Sequence, residues 1–324
     1  MRSKLISIVP TTFFGVSRVG LFFAMNQKPY KTISELIQMM IDRGLNVDDK
    51  QQLEVFLSMV SYYHFSGYFH CFQIGPNFED FKPNTHSDYL IKIYQFDIEF
   101  RSLINKYLEI VELEIRTIII DKLGNPQKCG PLFYLDEQFF IDPDEHQEFH
   151  AALDEDLQRA LISRNLIAMH FKEDFQALPV WGALEFITMG GLSKFYSNLK
   201  RPYQKVISNN NFFTMSPKLL SSILRLITIL RNSCSHRERL YHKFFPCNVT
   251  YSEDEEKLFS SINYNYPKKS FSTVFVIIYE LNKLLPTEWK MKLKNDLKRL
   301  FEDNASLIDP QDDYGFPKKW KDLL

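Results

Sequence analysis

An all-α fold built from many helices is what this sequence predicts, and three observations carry the expectation. Glycine is scarce, with 11 in 324 residues, which argues against a turn-rich β architecture. Apolar residues recur at the 3.6-residue spacing of amphipathic helices through most of the chain. No alternating apolar–polar runs flank hairpin turns, and neither a long internal repeat nor a low-complexity linker interrupts the pattern.

Each element follows in chain order. Thr32-Ile33-Ser34-Glu35 reads as a capping box, the Thr32 hydroxyl accepting from the Glu35 amide while Glu35 reaches back. Behind it Ile33, Leu36, Ile37, Met40 and Ile41 keep helical spacing, and Gly44 ends the helix. Leu53, Phe56, Leu57 and Val60 start a second helix running into Tyr62-Tyr63-His64-Phe65-Ser66-Gly67-Tyr68, where His64 reads as a satisfied core group. From about Ser87 to Lys122 the sequence predicts one long helix. Its stripe is Leu90, Ile93, Tyr94, Phe100, Leu103, Ile104, Tyr107, Leu108 and Val111, and Gly124 closes it. Glu112 and Arg116 have the i,i+4 order of a surface ion pair.

Residues 125–144 read as loop, and a polar helix follows over about 145–163. Pro179 suits the first turn of a helix over 180–187, which Gly190-Gly191 breaks ahead of Leu192-Ser193-Lys194-Phe195-Tyr196. Helices over about 217–231, 271–285 and 287–302 complete the set. Residues 1–25 read as an N-terminal extension, either disordered or ahead of the true start, and residues 26–324 as a single helical domain.

Composition bounds the function. A hydrophobic fraction of 45% with 24% charged residues is that of a soluble globular protein. No apolar run approaches the ~20 residues that span a bilayer, so no membrane association is expected. A net charge of −1 excludes a uniformly basic nucleic-acid binder but not a local basic groove. Arg231, His236, Arg237, Arg239, His242 and Lys243 form such a cluster, while Lys290 to Arg299 and Lys318 to Lys321 read as solvated helix surface. Cys71, Cys129, Cys234 and Cys247 show neither metal nor disulfide spacing, which suggests a reducing cytoplasm. Cys234 reads as a small packing residue rather than a nucleophile. Asp142-Pro143-Asp144 reads as a turn, and Asp154-Glu155-Asp156 and Glu253-Asp254-Glu255-Glu256 as polar surface. No Gly-rich phosphate loop occurs, and no metal or cofactor is expected.

The candidate site is Arg231-Asn232-Ser233-Cys234-Ser235-His236, at the end of the apolar run 219–230. The Arg–His spacing is a weak signal alone, since Arg164 with His170 and Arg237 with His242 repeat it. On an unbroken helix the two side chains lie ~140° apart. Asn232, Ser233 and Ser235 are weak helix formers, so a break here is expected to let the guanidinium swing towards the imidazole. An imidazole of pKa ~6.5 can take a proton from a ribose 2′-hydroxyl near neutral pH. Arg231 would stabilise the charge building on the phosphoryl oxygens. One imidazole serves poorly as both base and acid, which a two-fold dimer would solve. On the residues alone another reading stands beside it: Arg231 pairs with a carboxylate, Glu112 or Glu185, and His236 is a hydrogen-bonded structural group.

A series of motifs runs in order through the chain. It comprises Lys28-Pro29, Asp42-Arg43-Gly44-Leu45, the Tyr62–Tyr68 run, Phe96-Asp97 with Phe100-Arg101, and Glu112-Leu113-Glu114-Ile115-Arg116. Pro179-Val180-Trp181 with Glu185, Gly191 to Tyr196, Arg231 to His236 with Arg239-Leu240, and Tyr314-Gly315-Phe316-Pro317 with Trp320 complete it. Over nearly all of residues 26–324 this resembles the Abi-like (AbiD/AbiF-type) abortive-infection proteins of bacteria. The resemblance implies a HEPN-like multi-helix bundle in which an Arg-x(4 to 6)-His motif cleaves RNA without a metal, usually across a homodimer. It implies a toxin-like role in antiviral defence, and a small non-coding RNA as a plausible restraining partner. Arg231, His236 and Asn232 are then the catalytic candidates, and Arg237, Arg239, His242 and Lys243 the RNA-binding ones. Some HEPN toxins carry a modifiable tyrosine two positions after the histidine; here that position is Glu238. The alternative within the resemblance is a non-catalytic RNA-binding protein acting in a ribonucleoprotein complex.

Overall fold

The structure, a computed structural model, describes residues 29–75, 79–246, 251, 253–262, 264 and 272–324. The expected extension over 1–25, Lys28 and Cys247 lie outside the described residues. Fifteen α-helices, five short 3-10 helices and four two-residue strands make up the described fold. In order the α-helices and strands are α1 (Ile33–Asp42), α2 (Lys50–Met59), α3 (Tyr62–Ser66), β1 (Gln73–Ile74), β2 (Asp80–Phe81), α4 (Ser87–Leu123), α5 (Pro143–Ile162), α6 (Leu166–His170), α7 (Val180–Ala183) and α8 (Met189–Asn198). Then come α9 (Arg201–Ser208), α10 (Pro217–Ser235), β3 (Phe244–Phe245), α11 (Glu253–Ser261), β4 (Ser272–Thr273), α12 (Val274–Leu284), α13 (Thr287–Asp303), α14 (Pro310–Tyr314) and α15 (Trp320–Leu323). The strands pair antiparallel as β1–β2 and β3–β4.

Local chemistry sets the boundaries. The capping box forms as expected: the Glu35 amide donates to Thr32 Oγ1 at 3.3 Å and the Thr32 amide to the Glu35 carboxylate at 2.7 Å. α4 runs 37 residues, roughly 55 Å, and is the spine of the molecule. Asp142, expected in a turn, instead caps α5 by accepting from the amides of Asp144 and Glu145, with Pro143 in the first turn.

The helix break expected at Gly190-Gly191 falls earlier. Thr188 caps α8 by accepting from the Gly191 amide, so both glycines belong to its first turn. A Cβ on Gly191 would lie 2.6 Å from the Ile187 side chain, so packing rather than chain flexibility fixes that residue. Glu255, expected on solvated surface, is buried and bonded to Lys283, which also bonds Glu280.

α10 is the central helix, packed against α4, α8 and α12. Leu220, Ile223, Leu224, Leu226, Ile227 and Leu230 bury it on several sides. In α12 the five consecutive residues Val274 to Ile278 are all fully buried, the pattern of a helix enclosed all round. Where α4 meets the C-terminal helices, Phe96, Phe100, Phe301, Tyr314, Phe316 and Trp320 interlock edge to face and tilted, a use of aromatic area that each pair strengthens beyond burial alone.

Gly315 closes α14 in the left-handed region at φ +71°, and a Cβ there would lie 2.7 Å from the Thr273 side chain. Gly315→Ala is expected to cost roughly 1–3 kcal/mol, read as a lower urea midpoint at unchanged slope.

Candidate functional site

The end of α10 departs from the expected break. The helix stays regular through Ser235, and His236 caps it, its amide donating to the carbonyls of Asn232 and Cys234. Weak helix formers persist here because tertiary contacts hold them. Ser233 and Cys234 are buried, and the Ser233 hydroxyl donates to the Glu238 carboxylate at 2.9 Å. Arg237 then turns the chain at φ +59°. Arg231 and His236 therefore project from different sides of the helix within one chain. Asn232 and His236, four apart, share an exposed face.

Arg231 faces α4. Its Nε lies 3.8 Å from Glu112 Oε2, and its side chain stays 34% exposed. The other Glu112 oxygen accepts from Arg116 Nη2 at 2.5 Å. Arg116 also donates to the Ile187 carbonyl, and its Nε is buried without a partner. Glu112 and Arg116, expected at the surface, are thus largely buried, because α10 and the Ile187 segment ahead of α8 cover this side of α4. Of the two carboxylates the sequence offers Arg231, Glu112 takes the role; Glu185 is exposed. Asn105, Glu109, Glu112, Arg116, Arg231 and Ser235 line a polar cleft of about 280 Å³.

The basic residues after His236 are largely engaged. Lys243 donates to the Ser233 hydroxyl and the Glu238 carboxylate, and Arg239 to the Gly67 carbonyl. His242 Nε2 lies 3.1 Å from Asp313. Arg237 is exposed. Cys234 is buried, and burial pushes its thiol up to about 12, so it stays protonated near neutral pH and acts as a packing residue.

The Asp313 carboxylate, with a contact from Cys71, raises the His242 imidazole to about 9 from 6.5. The folded form holds its proton more tightly, so the contribution is complete below pH 6.5 and fades as pH rises through about 9. Urea unfolding is expected to show stability falling between pH 7 and 10, and a shallower fall for His242→Gln.

A buried group to which the motif series assigned no role, Asp97, organises the loop beyond His236. Asp97 is fully buried on α4. It accepts from the hydroxyls of Tyr68 and Tyr314, the guanidinium of Arg101, and the amides of Leu240 and Tyr241. The signal was present, for Asp97 stands where the stripe Leu90, Ile93, Tyr94, Phe100, Ile104 calls for an apolar residue.

The fold and site thus define an all-α protein with an Arg–Glu–Arg latch between its spine and central helix, beside an exposed histidine cap. Residues 55–242, more than half of the chain, match the family of Abi-like proteins, and the chain belongs to that family. No curated protein and no solved structure matches it. Among the described residues no helix is long and apolar enough to cross a membrane.

Proposed function

We propose that the chain is an endoribonuclease of an abortive-infection system, working as a two-fold dimer without a catalytic metal. His236 of one protomer takes the proton of a ribose 2′-hydroxyl, and O2′ attacks the adjacent phosphorus. The bond to O5′ breaks, and the departing oxygen takes a proton from the imidazole of the second protomer. The products carry a 2′,3′-cyclic phosphate and a 5′-hydroxyl. Arg231 stabilises the non-bridging oxygens as their charge builds, and Asn232, on the face of His236, contacts the phosphate. Arg237, Arg239, His242 and Lys243 form the basic rim for the RNA backbone, with Arg237 the most open of them. Such a protein would act in the cytoplasm, where a small non-coding RNA is a fitting restraint.

The observation that carries this reading is the exposure of His236 and Asn232 at the end of the central helix, with Arg231 reaching a polar cleft. Membership of the Abi-like family supports the defence role. The two side chains diverge within one chain, so the chemistry needs a second copy. Sequencing of RNA ends in cells expressing the wild type or His236→Ala tests it. Cyclic-phosphate ends that vanish in the variant support the proposal; the same ends in both contradict it.

A second reading has its own observation. Glu112 already engages Arg231, which suits a site that binds RNA without cutting it. That reading predicts salt-sensitive RNA binding weakened by Arg231→Ala, with no cyclic-phosphate product.

A further inference from the structure

Away from the latch, two imidazoles meet on the buried side of α5. His146 and His150 are four residues apart, so both project from one face of the helix. Their Nε2 atoms lie 3.0 Å from each other. His146 Nε2 also lies 2.8 Å from the Tyr134 carbonyl oxygen. The Phe140 ring, stacked on His146 at 4.2 Å, fixes the orientation of that imidazole.

Two imidazole nitrogens and a carbonyl oxygen thus cluster at His146 Nε2. With neutral rings, two N–H groups aimed there would crowd each other, so one proton at most fits between them. At least one imidazole nitrogen then faces the others as an acceptor. A divalent cation satisfies all three at once. With metal–nitrogen bonds of about 2.1 Å, a 3.0 Å nitrogen separation gives an angle of roughly 90°, within the range such ions accept.

The place is also accessible. Tyr134, His150, Asp154, Leu157 and Phe175 line a cavity of about 590 Å³. Asp154, one turn beyond His150, adds a carboxylate whose charge reaches both His150 and Tyr134. Among the described residues no three His, Cys, Asp or Glu side chains close on a point, so water would have to complete the shell from the cavity that His150 lines.

We propose that His146, His150 and the Tyr134 carbonyl bind a divalent transition-metal ion of the Zn²⁺ type, with Asp154 facing the open side. The ion would staple α5 to the turn at Phe133–Leu135. It plays no part in the RNA chemistry proposed above, and the proposal stands independently of it. Nitrogen-rich ligands favour Zn²⁺, Ni²⁺ or Co²⁺ over Mg²⁺ or Ca²⁺.

The test uses the full chain, freed of metal by dialysis and titrated with Zn²⁺ by calorimetry and with Co²⁺ by absorption. One equivalent per chain is expected, with a visible cobalt spectrum lacking the near-ultraviolet band of a thiolate ligand. His150→Gln, its helicity checked by circular dichroism, is expected to weaken that equivalent at least about tenfold. A readout on unaltered protein guards against a misfolded variant: Zn²⁺ should protect the peptide carrying His150 from diethylpyrocarbonate. Absence of a one-equivalent site, a thiolate band, or equal binding by folded His150→Gln would overturn the proposal. Unchanged His150 modification with Zn²⁺ would do the same.

Discussion

His236→Ala is expected to lower the rate of RNA cleavage by at least about 10²-fold while leaving the fold intact. A positioned imidazole contributes ~10²–10⁴-fold as an acid–base catalyst. In a two-fold site the substitution removes both the base and the acid. Stability should hold within about 0.5 kcal/mol, because the side chain is exposed and the cap is made by its backbone amide. Arg231→Ala makes the instructive contrast. It removes the guanidinium proposed to stabilise the phosphate and also strips Glu112 of one of its two cationic partners. Its loss of cleavage should come with a measurable loss of stability. Single-turnover rates on a defined RNA, beside thermal melts of the same preparations, separate the two effects. Cleavage by His236→Ala at the wild-type rate would remove the imidazole from the mechanism.

Asp97→Ala should be the most destabilising of the substitutions considered. The carboxylate is fully buried and receives two hydroxyls, two amides and a guanidinium. Its removal leaves Arg101, itself nearly buried, as an uncompensated charge. Breaking a buried pair in this way costs about 3–5 kcal/mol. Tyr68 and Tyr314 cannot take over the countercharge, since burial, more than any other influence, drives both phenols well above their ordinary range. The amides of Leu240 and Tyr241 lose their acceptor too, so the segment after His236 should loosen first. Urea unfolding followed by circular dichroism gives the size of the loss, and hydrogen exchange at residues 237–242 gives its location. A change below about 1 kcal/mol would mean that water or another acceptor replaces Asp97.

Much of this fold is legible in the sequence because periodicity and capping are local signals. The Thr32–Glu35 box, the 37-residue α4 and the end of α1 near Gly44 all follow from residues within a few positions of one another. What escapes is set by contacts between distant segments. Asn232, Ser233 and Ser235 suggest a break, yet Glu238 and Lys243 hold Ser233 inside a regular turn. Glu112–Arg116 has the spacing of a surface pair, and only the packing of α10 on α4 makes it a latch for Arg231. Asp97 stands in an apolar stripe as a visible anomaly, but its donors come from residues 68, 101, 240, 241 and 314. Local spacing cannot bring such residues together. The spacing of Arg231 and His236 already divides them between two sides of an unbroken helix; that the helix stays unbroken through Ser235 is what local propensity does not show.

The central claim is that a ribose hydroxyl is the nucleophile and that His236 activates it. Its most direct test is a synthetic RNA bearing a single 2′-deoxynucleotide on the 5′ side of a mapped cleavage position, incubated with the purified protein. The account predicts that cleavage at that bond stops, that neighbouring bonds remain sensitive, and that all products of the unmodified RNA end in 2′,3′-cyclic phosphate. Cutting at the deoxy position, or products with 5′-phosphate ends, would contradict it.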